Sequence, residues 1–266
     1  MSGGASPGIW GHGSAYERYV GRWSRRVAPV FLSWLDIPPG RRWLDVGCGT
    51  GALTAAVADA CEPRSLDGVE PSEGFLSAAR ASLGGRARLR SGSAEAIPLT
   101  DRSVDAVVSG LVLNFVPDAA SALAEMTRVC RHGGHIAAYV WDYGDRMELM
   151  RYFWAAAIEQ DPSAESLDEA SRFEMCNPRA LRVLFASAGL VDVDVAAIDI
   201  ATEFADFDDY WEPFLGGQGV APGYVMSLDG ASRDALRDRL RARLPMQADG
   251  SISLVARVWA VRGTME

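Results

Sequence analysis

Residues Trp43 to Thr54 read WLDVGCGTGALT. Trp43, Leu44 and Val46 make a short apolar run of the kind buried inside a parallel sheet. The run then breaks into three alternating glycines, Gly47, Gly49 and Gly51. Glycine accepts positive φ and lets a ligand press against bare backbone, so the stretch predicts a strand, a ligand-cradling turn and a helix over Ala52 to Ala60. Gly47-x-Gly49-x-x-Ala52 also satisfies the loose dinucleotide fingerprint, with Glu70 at the later distance where an acid meets a ribose. Asp45, two residues before the first glycine, tells against that reading. Its carboxylate would repel a pyrophosphate, whereas a ligand carrying positive charge is complementary to it.

Outward from this turn the chain alternates. Strands are expected over Arg42 to Val46, Ser65 to Glu70, Ala87 to Arg90, Val104 to Ser109 and His135 to Trp141. Helices over Phe75 to Leu83 and Asp118 to Arg131 separate them, with Asp118 a natural N-cap. That spacing argues for a parallel sheet covered on both faces, whose ligands sit at the carboxyl ends of the strands. Before it, Tyr16 to Val20 and Arg25 to Leu35 read as helices, the second with Val27, Val30, Phe31 and Trp34 on one stripe. Met1 to Gly13, rich in Gly and Ser, reads as a segment fixed only by a ligand or partner. After the alternation come helices over Met147 to Ile158 and Pro178 to Ala188, then strands over Val191 to Ile200 and Ile252 to Val261. The fifty or so residues between those strands are too long for a plain connection and imply a folded insertion.

At 266 residues and 48% hydrophobic content, the chain can bury a full core. The net charge of −9 argues against a nucleic-acid substrate, which is held mainly through clustered Lys and Arg. No apolar run approaches the ~20 residues that span a bilayer, and no signal-peptide pattern opens the chain, so a cytoplasmic protein is expected. Cys48, Cys61, Cys130 and Cys176 lie far apart and read as reduced core residues; no metal site is expected.

The D-x-G-x-G-x-G pattern of Asp45, Gly47, Gly49 and Gly51 resembles the first motif of the class I S-adenosylmethionine (SAM)-dependent methyltransferases. The resemblance extends from Arg42 to about Trp141, within the branch that includes the ubiquinone and menaquinone biosynthesis enzymes. It implies an α/β, Rossmann-like, seven-stranded and mostly parallel sheet with the last strand antiparallel, a helical N-terminal cover over residues 1–40, a core over 41–200, an inserted lid over 201–250 and a final strand over 251–266. It further implies SAM as cofactor, S-adenosylhomocysteine (SAH) as product, and methyl transfer to an oxygen, nitrogen or carbon of a small molecule. Oligomeric state is left open.

Carried onto this chain, the family pattern places Asp45, Gly47, Gly49 and Thr50 at the turn. Glu70 and Pro71 fall at the ribose diol, and Ser93 and Ala94 in the adenine loop Gly92-Ser93-Ala94-Glu95. Ser93 stands where Asp is usual, which weakens the adenine contact by ~1 kcal/mol. Ser109 and Leu111 are expected beneath the cofactor, with Asn114 facing the methyl. Many relatives carry His near Asn114, so His-dependent chemistry is not implied. Arg22 and Trp23 are candidates for closing over the cofactor, with Tyr16 and Tyr19. Trp141, Tyr210, Trp211, Phe214 and Tyr224 are candidates for the acceptor pocket, the last four from the insertion. Methyl transfer is an in-line displacement for which a base is optional. Where one is used, Tyr16, His12, Asp142 and Tyr143 are available. Two other readings remain: a SAM-binding module without catalysis that acts through a protein partner, and an NAD(P)-dependent oxidoreductase.

Overall fold

Residues 17–217 and 219–266 are described by a computed structural model. His12, Tyr16 and the Met1 to Gly13 segment lie outside the described residues. After a π-helical turn, Glu17–Gly21, the chain forms α1, Arg22–Leu35. Its buried stripe is Trp23, Val27, Phe31 and Leu35 with Ala28 and Leu32. This differs from the expected one: Val30 is 46% exposed, because the i, i+4 row that starts from Trp23 faces the sheet.

Seven strands then form one sheet: β1 Arg42–Val46, β2 Ser65–Glu70, β3 Arg88–Ser91, β4 Val104–Gly110, β5 Cys130–Trp141, β6 Leu190–Phe204 and β7 Ile252–Met265. Their order is β3-β2-β1-β4-β5-β7-β6. The first five pair in parallel, and β7 is antiparallel to both β5 and β6. The order runs one way from β1 to β3 and the other way from β4, so the crevice opens at the carboxyl ends of β1 and β4. The apolar strand before the glycines therefore sits at the centre of the sheet, where residues 43 to 46 are all buried.

Between the strands lie α2 Ala52–Ala60, α3 Glu73–Leu83 and α4 Ala119–Val129. The Asp118 side chain caps α4 by accepting from Ala120 and Ser121 N–H. α4 stops at Val129, two residues earlier than expected, because Cys130 already pairs with Val104. The turn at Gly133 and Gly134 is looped out before pairing resumes at Ala106 and His135. At Gly134 a Cβ would lie 2.6 Å from Cys130 Sγ, so the tight turn requires glycine there.

Beyond β5 the chain builds a helical cap. Helix α5, Glu148–Gln160, leads through a short 3-10 segment, Pro162–Leu167, into the one-turn helix α6, Glu169–Arg172. Sequence patterning gave no element here, since single turns carry too few residues to show a period. Helix α7, Pro178–Ser187, precedes β6. The insertion folds as α8 Phe207–Trp211, a 3-10 turn Glu212–Gly216, α9 Val220–Ser227 and α10 Gly230–Arg243. It is tied to α1 by an Arg22–Asp209 ion pair of 2.8 Å and to α5 by stacking of Phe214 on Phe153, centroids 4.6 Å apart. No helix among the described residues is long and apolar enough to cross a membrane.

Candidate active site

The glycine turn is shaped by backbone. Gly47 N–H and Cys48 N–H both donate to Val69 O, at 2.7 and 3.1 Å, which bends the chain from β1 across the end of β2. Gly47, Gly49 and Gly51 have φ of 73°, 55° and 90°, the left-handed region that only glycine enters freely. At Gly47 the space is also taken, since a Cβ would stand 2.6 Å from the Val112 methyls.

Two carboxylates frame this turn. Asp45 is buried, and its Oδ2 accepts from Thr54 Oγ1 at 2.6 Å, while its Oδ1 is buried without a partner. Burial pushes its pKa up to about 7, against the lowering effect of Thr54. Glu70 closes β2. Its Oε2 accepts from Gly49 N–H at 3.1 Å and its Oε1 from Ser72 N–H at 2.9 Å. Burial raises its pKa, partly offset by those two amides.

Both acids open into a cavity of about 490 Å³ at the carboxyl ends of the strands. Its walls bring together most of the residues expected around a cofactor: Asp45, Gly47, Gly49, Thr50, Glu70, Pro71, Ser93, Ala94 and Leu111. Leu111 has a positive φ of 62°, held by its N–H on Tyr139 O at 2.8 Å. For a leucine that conformation carries strain and marks the end of β4 as a shaped position. Asn114 lines the same cavity and keeps a buried, unpartnered Nδ2.

Other candidates fall elsewhere. Ser109 is buried behind the wall, its hydroxyl on Val46 O at 2.9 Å, bracing β4 against β1. Arg22 and Trp23 do not line the cavity. The Arg22 guanidinium is held by Asp209 and lies over the Trp23 and Phe204 rings at 4.4 and 4.9 Å. Tyr210, Trp211, Phe214 and Tyr224 are likewise absent from the wall. Tyr210 Oη donates to Leu149 O at 2.9 Å, and these aromatics fill the space between the insertion and α5. Helical spacing turned them inward to build the cap. The insertion reaches the cavity through Gly219 and Val220 instead. Trp141 and Tyr143 line it, whereas Asp142 binds its own turn, accepting from Asp145 N–H at 3.2 Å.

The wall also includes Tyr19, Met150, Glu169 and Phe173, and of these only Tyr19 is singled out by the sequence. Tyr19 Oη donates to Met150 Sδ at 2.8 Å. Burial, with Glu169 and Tyr143 nearby, holds the Tyr19 phenol well above its ordinary value. Glu169 is buried, accepts from Trp154 Nε1–H, and is raised to about 7 by desolvation. An acidic residue on a one-turn helix gives no periodic signal, so only the fold could place it here.

An unpartnered carboxyl oxygen beneath a bare glycine turn, with a second acid at the next strand end, fits a ligand that brings cationic charge and a diol. The comparisons agree. Residues 44–138 match a family described as a methyltransferase domain. An uncharacterized methyltransferase of Mycobacterium tuberculosis is 41% identical over 133 residues, 49% of this chain and 50% of that protein. The chain thus spans about half the length of that relative. A demethylmenaquinone methyltransferase of Shouchella clausii is 38% identical over 183 residues, 62% of this chain and 76% of the relative. In fold, the chain is similar to phosphoethanolamine N-methyltransferase 2 of Haemonchus contortus, solved with SAM. The TM-score is 0.57 at 16% identity, covering 94% of this chain and 56% of that one. The chain belongs to the class I SAM-dependent methyltransferases.

Proposed function

We propose that this chain transfers a methyl group from SAM to a small-molecule acceptor and releases SAH. The observation that carries the reading is the unpartnered Asp45 Oδ1, buried at the base of the glycine turn in a cavity that also exposes Glu70. In this assignment Asp45 and the turn amides face the amino-acid end of the cofactor. Glu70 receives the ribose hydroxyls, and Ser93 and Ala94 face the base. Bound there, SAM supplies an electrophilic methyl on a sulfonium. The chain's own residues align the acceptor with that methyl and keep water out, the two requirements of an in-line displacement.

The apolar part of the wall, with Tyr143, Trp141, Phe173 and Met150, suits a compact and partly aromatic acceptor. A net charge of −9 disfavours a nucleic acid in that role. On the same reading, the described part of the N-terminal segment, 17–40, covers the cofactor, 41–200 form the core, 201–250 a lid and 251–266 the last strand, in a protein of the cytoplasm. Titration calorimetry with SAM, SAH and NAD tests the cofactor. Binding of the adenosyl-sulfur ligands alone is expected, and binding of NAD in their place sinks the reading. Transfer of radiolabelled methyl from SAM to a panel of small aromatic acceptors then tests turnover; a protein that binds SAM and methylates none of them would revive the non-catalytic module.

A further inference from the structure

The cavity wall also holds an acid, Glu169, to which the proposed cofactor assigns no role. Glu169 lies on α6, a single turn whose start is fixed by Asp168, and Asp168 is anchored in turn by Arg151 at 2.5 Å. The α5 residue Trp154 donates its indole N–H to Glu169 Oε2, which fixes the carboxylate while the residue remains part of the cavity wall. Around it stand Tyr19 from the first turn, Tyr143 from the segment after β5, Met150 from α5 and Phe173 next to α6. The Tyr143 and Phe173 rings are 5.4 Å apart. Arg172 also reaches the wall, with its guanidinium over Phe173 at 5.6 Å; its charge lowers the Glu169 pKa but does not offset the desolvation that raises it, and no Arg hydrogen bond to Glu169 is found among the described residues.

A buried carboxylate so incompletely compensated is costly unless a ligand completes it. Aromatic faces beside a carboxylate are the chemistry that recognises ammonium ions, through ring quadrupoles and a counter-charge. We propose that the acceptor is an amine, bound as its ammonium ion against Glu169 within these aromatic walls, and that Glu169 then removes the proton that blocks attack. The inference rests on the methyltransferase reading and names the substrate class of that site. The ammonium gives one proton to the carboxylate and becomes a neutral amine. Its nitrogen lone pair forms the new bond to the methyl carbon as the carbon–sulfur bond breaks, and that pair stays on sulfur. The products are a methylated ammonium ion and the thioether, and Glu169 returns its proton to solvent.

The test is binding, so it needs no knowledge of the true acceptor. Wild-type protein saturated with SAH is titrated with benzylamine, an ammonium ion at neutral pH, and with its uncharged analogue benzyl alcohol. At about pH 8 benzylamine is expected to bind at least about tenfold more tightly, and the preference to shrink as pH falls toward about 6 and Glu169 is protonated. The groups facing Glu169 are Tyr19, Tyr143, Asp168 and Arg172; Asp45, raised to about 7 in the same cavity, can produce the same trend, so the pH dependence is assigned to Glu169 only if E169Q removes it. E169Q, whose amide oxygen can still accept from Trp154, is expected to abolish the preference and leave SAH affinity unchanged. Equal affinity for the two probes in wild-type protein, binding of neither, or a preference that survives in E169Q overturns the amine assignment. Failure of SAH itself to bind overturns the parent reading instead.

Discussion

Thr54 Oγ1 donates to Asp45 Oδ2 at 2.6 Å, so the helix after the glycine turn grips the strand before it through one carboxylate oxygen. The other oxygen, Oδ1, is left buried and unpartnered beneath the turn. One oxygen thus serves the fold and the other waits for charge from a ligand. Desolvation raises this carboxyl to about 7, and a bound cation favours its ionised form. SAM affinity is therefore expected to fall as pH drops below about 7, with proton release on binding near neutrality. Calorimetry in two buffers of different ionisation enthalpy measures that proton. D45N should weaken SAM binding by about 10–100-fold and remove the proton release.

The same burial sets a pH dependence for the ligand-free fold. Asp45 and Glu169 rise from ordinary values of 3.8 and 4.5 to about 7, and Glu70 is raised as well. Between the unfolded and folded values the native state holds more protons than the unfolded chain, so stability decreases as pH climbs through that window. The Arg42 guanidinium holds Asp105 down at about 2, and its stabilisation is already complete above the unfolded value of 3.8. His135, lowered by burial and by Arg41 and Arg262, acts in the opposite sense but is a single half-buried ring. The melting temperature without ligand is thus expected to be lower at about pH 8 than at about pH 5.5, for a cost on the order of a few kcal/mol. Saturation with SAH should shrink the difference, and a flat profile would contradict the assignment of these groups as desolvated acids.

Glu70 is bound twice before any ligand arrives, by Gly49 N–H at 3.1 Å and Ser72 N–H at 2.9 Å. The carboxylate therefore shapes the turn as well as facing the cavity. E70A leaves both amides unsatisfied and removes the diol acceptor. SAM affinity is expected to fall by about 10–100-fold, together with a loss of about 1–2 kcal/mol in stability. E70Q keeps the size but replaces one acceptor oxygen with a donor facing an amide, so it should recover packing and little of the affinity. Chemical denaturation and titration of both variants separate the two roles.

The glycine-turn side of the cavity was legible because its signal is local. Asp45, the three glycines, Glu70 and the Ser93 loop each lie at a strand end, and an apolar strand breaking into glycine announces such a position. The rest of the wall was not legible, because it is assembled from α6, Tyr19, Met150 and the tip of the insertion, which are distant in sequence. Aromatic content misled in the same region. Tyr210 and Phe214 are both fully buried side chains, and a helix-spaced aromatic is equally suited to a pocket or to a core. Arg22 illustrates the converse: an arginine near the cavity found its carboxylate in Asp209, on the protein's own insertion.

Arg22 therefore supports the cap and leaves ligands to others. Its ion pair with Asp209 is about one-third exposed on each side, at 31% and 34%, so screening leaves it a modest contribution. Packing over Trp23 and Phe204 adds to it. R22A should cost about 0.5–1.5 kcal/mol in thermal or chemical denaturation and change SAM affinity less than about threefold. A large loss of SAM affinity at unchanged stability would return Arg22 to the site.

Gly47 offers the sharpest separation of backbone from side-chain effects. It has no side chain to lose, so any effect of G47A comes from what is added. The new methyl would meet Val112 Cγ1 and Cγ2 at 2.6 Å, at a φ of 73° that L-residues rarely adopt. Val112 follows the strained Leu111, so it cannot retreat without disturbing the end of β4, and the turn must open instead. G47A is expected to cost about 1–3 kcal/mol in stability and to weaken SAM binding at least about tenfold. G47A/V112A removes the clash but keeps the unfavourable φ, so it should regain part of the stability and less of the affinity. Full recovery in the double variant would show that crowding alone makes this glycine necessary; no recovery would place the whole cost on the backbone conformation.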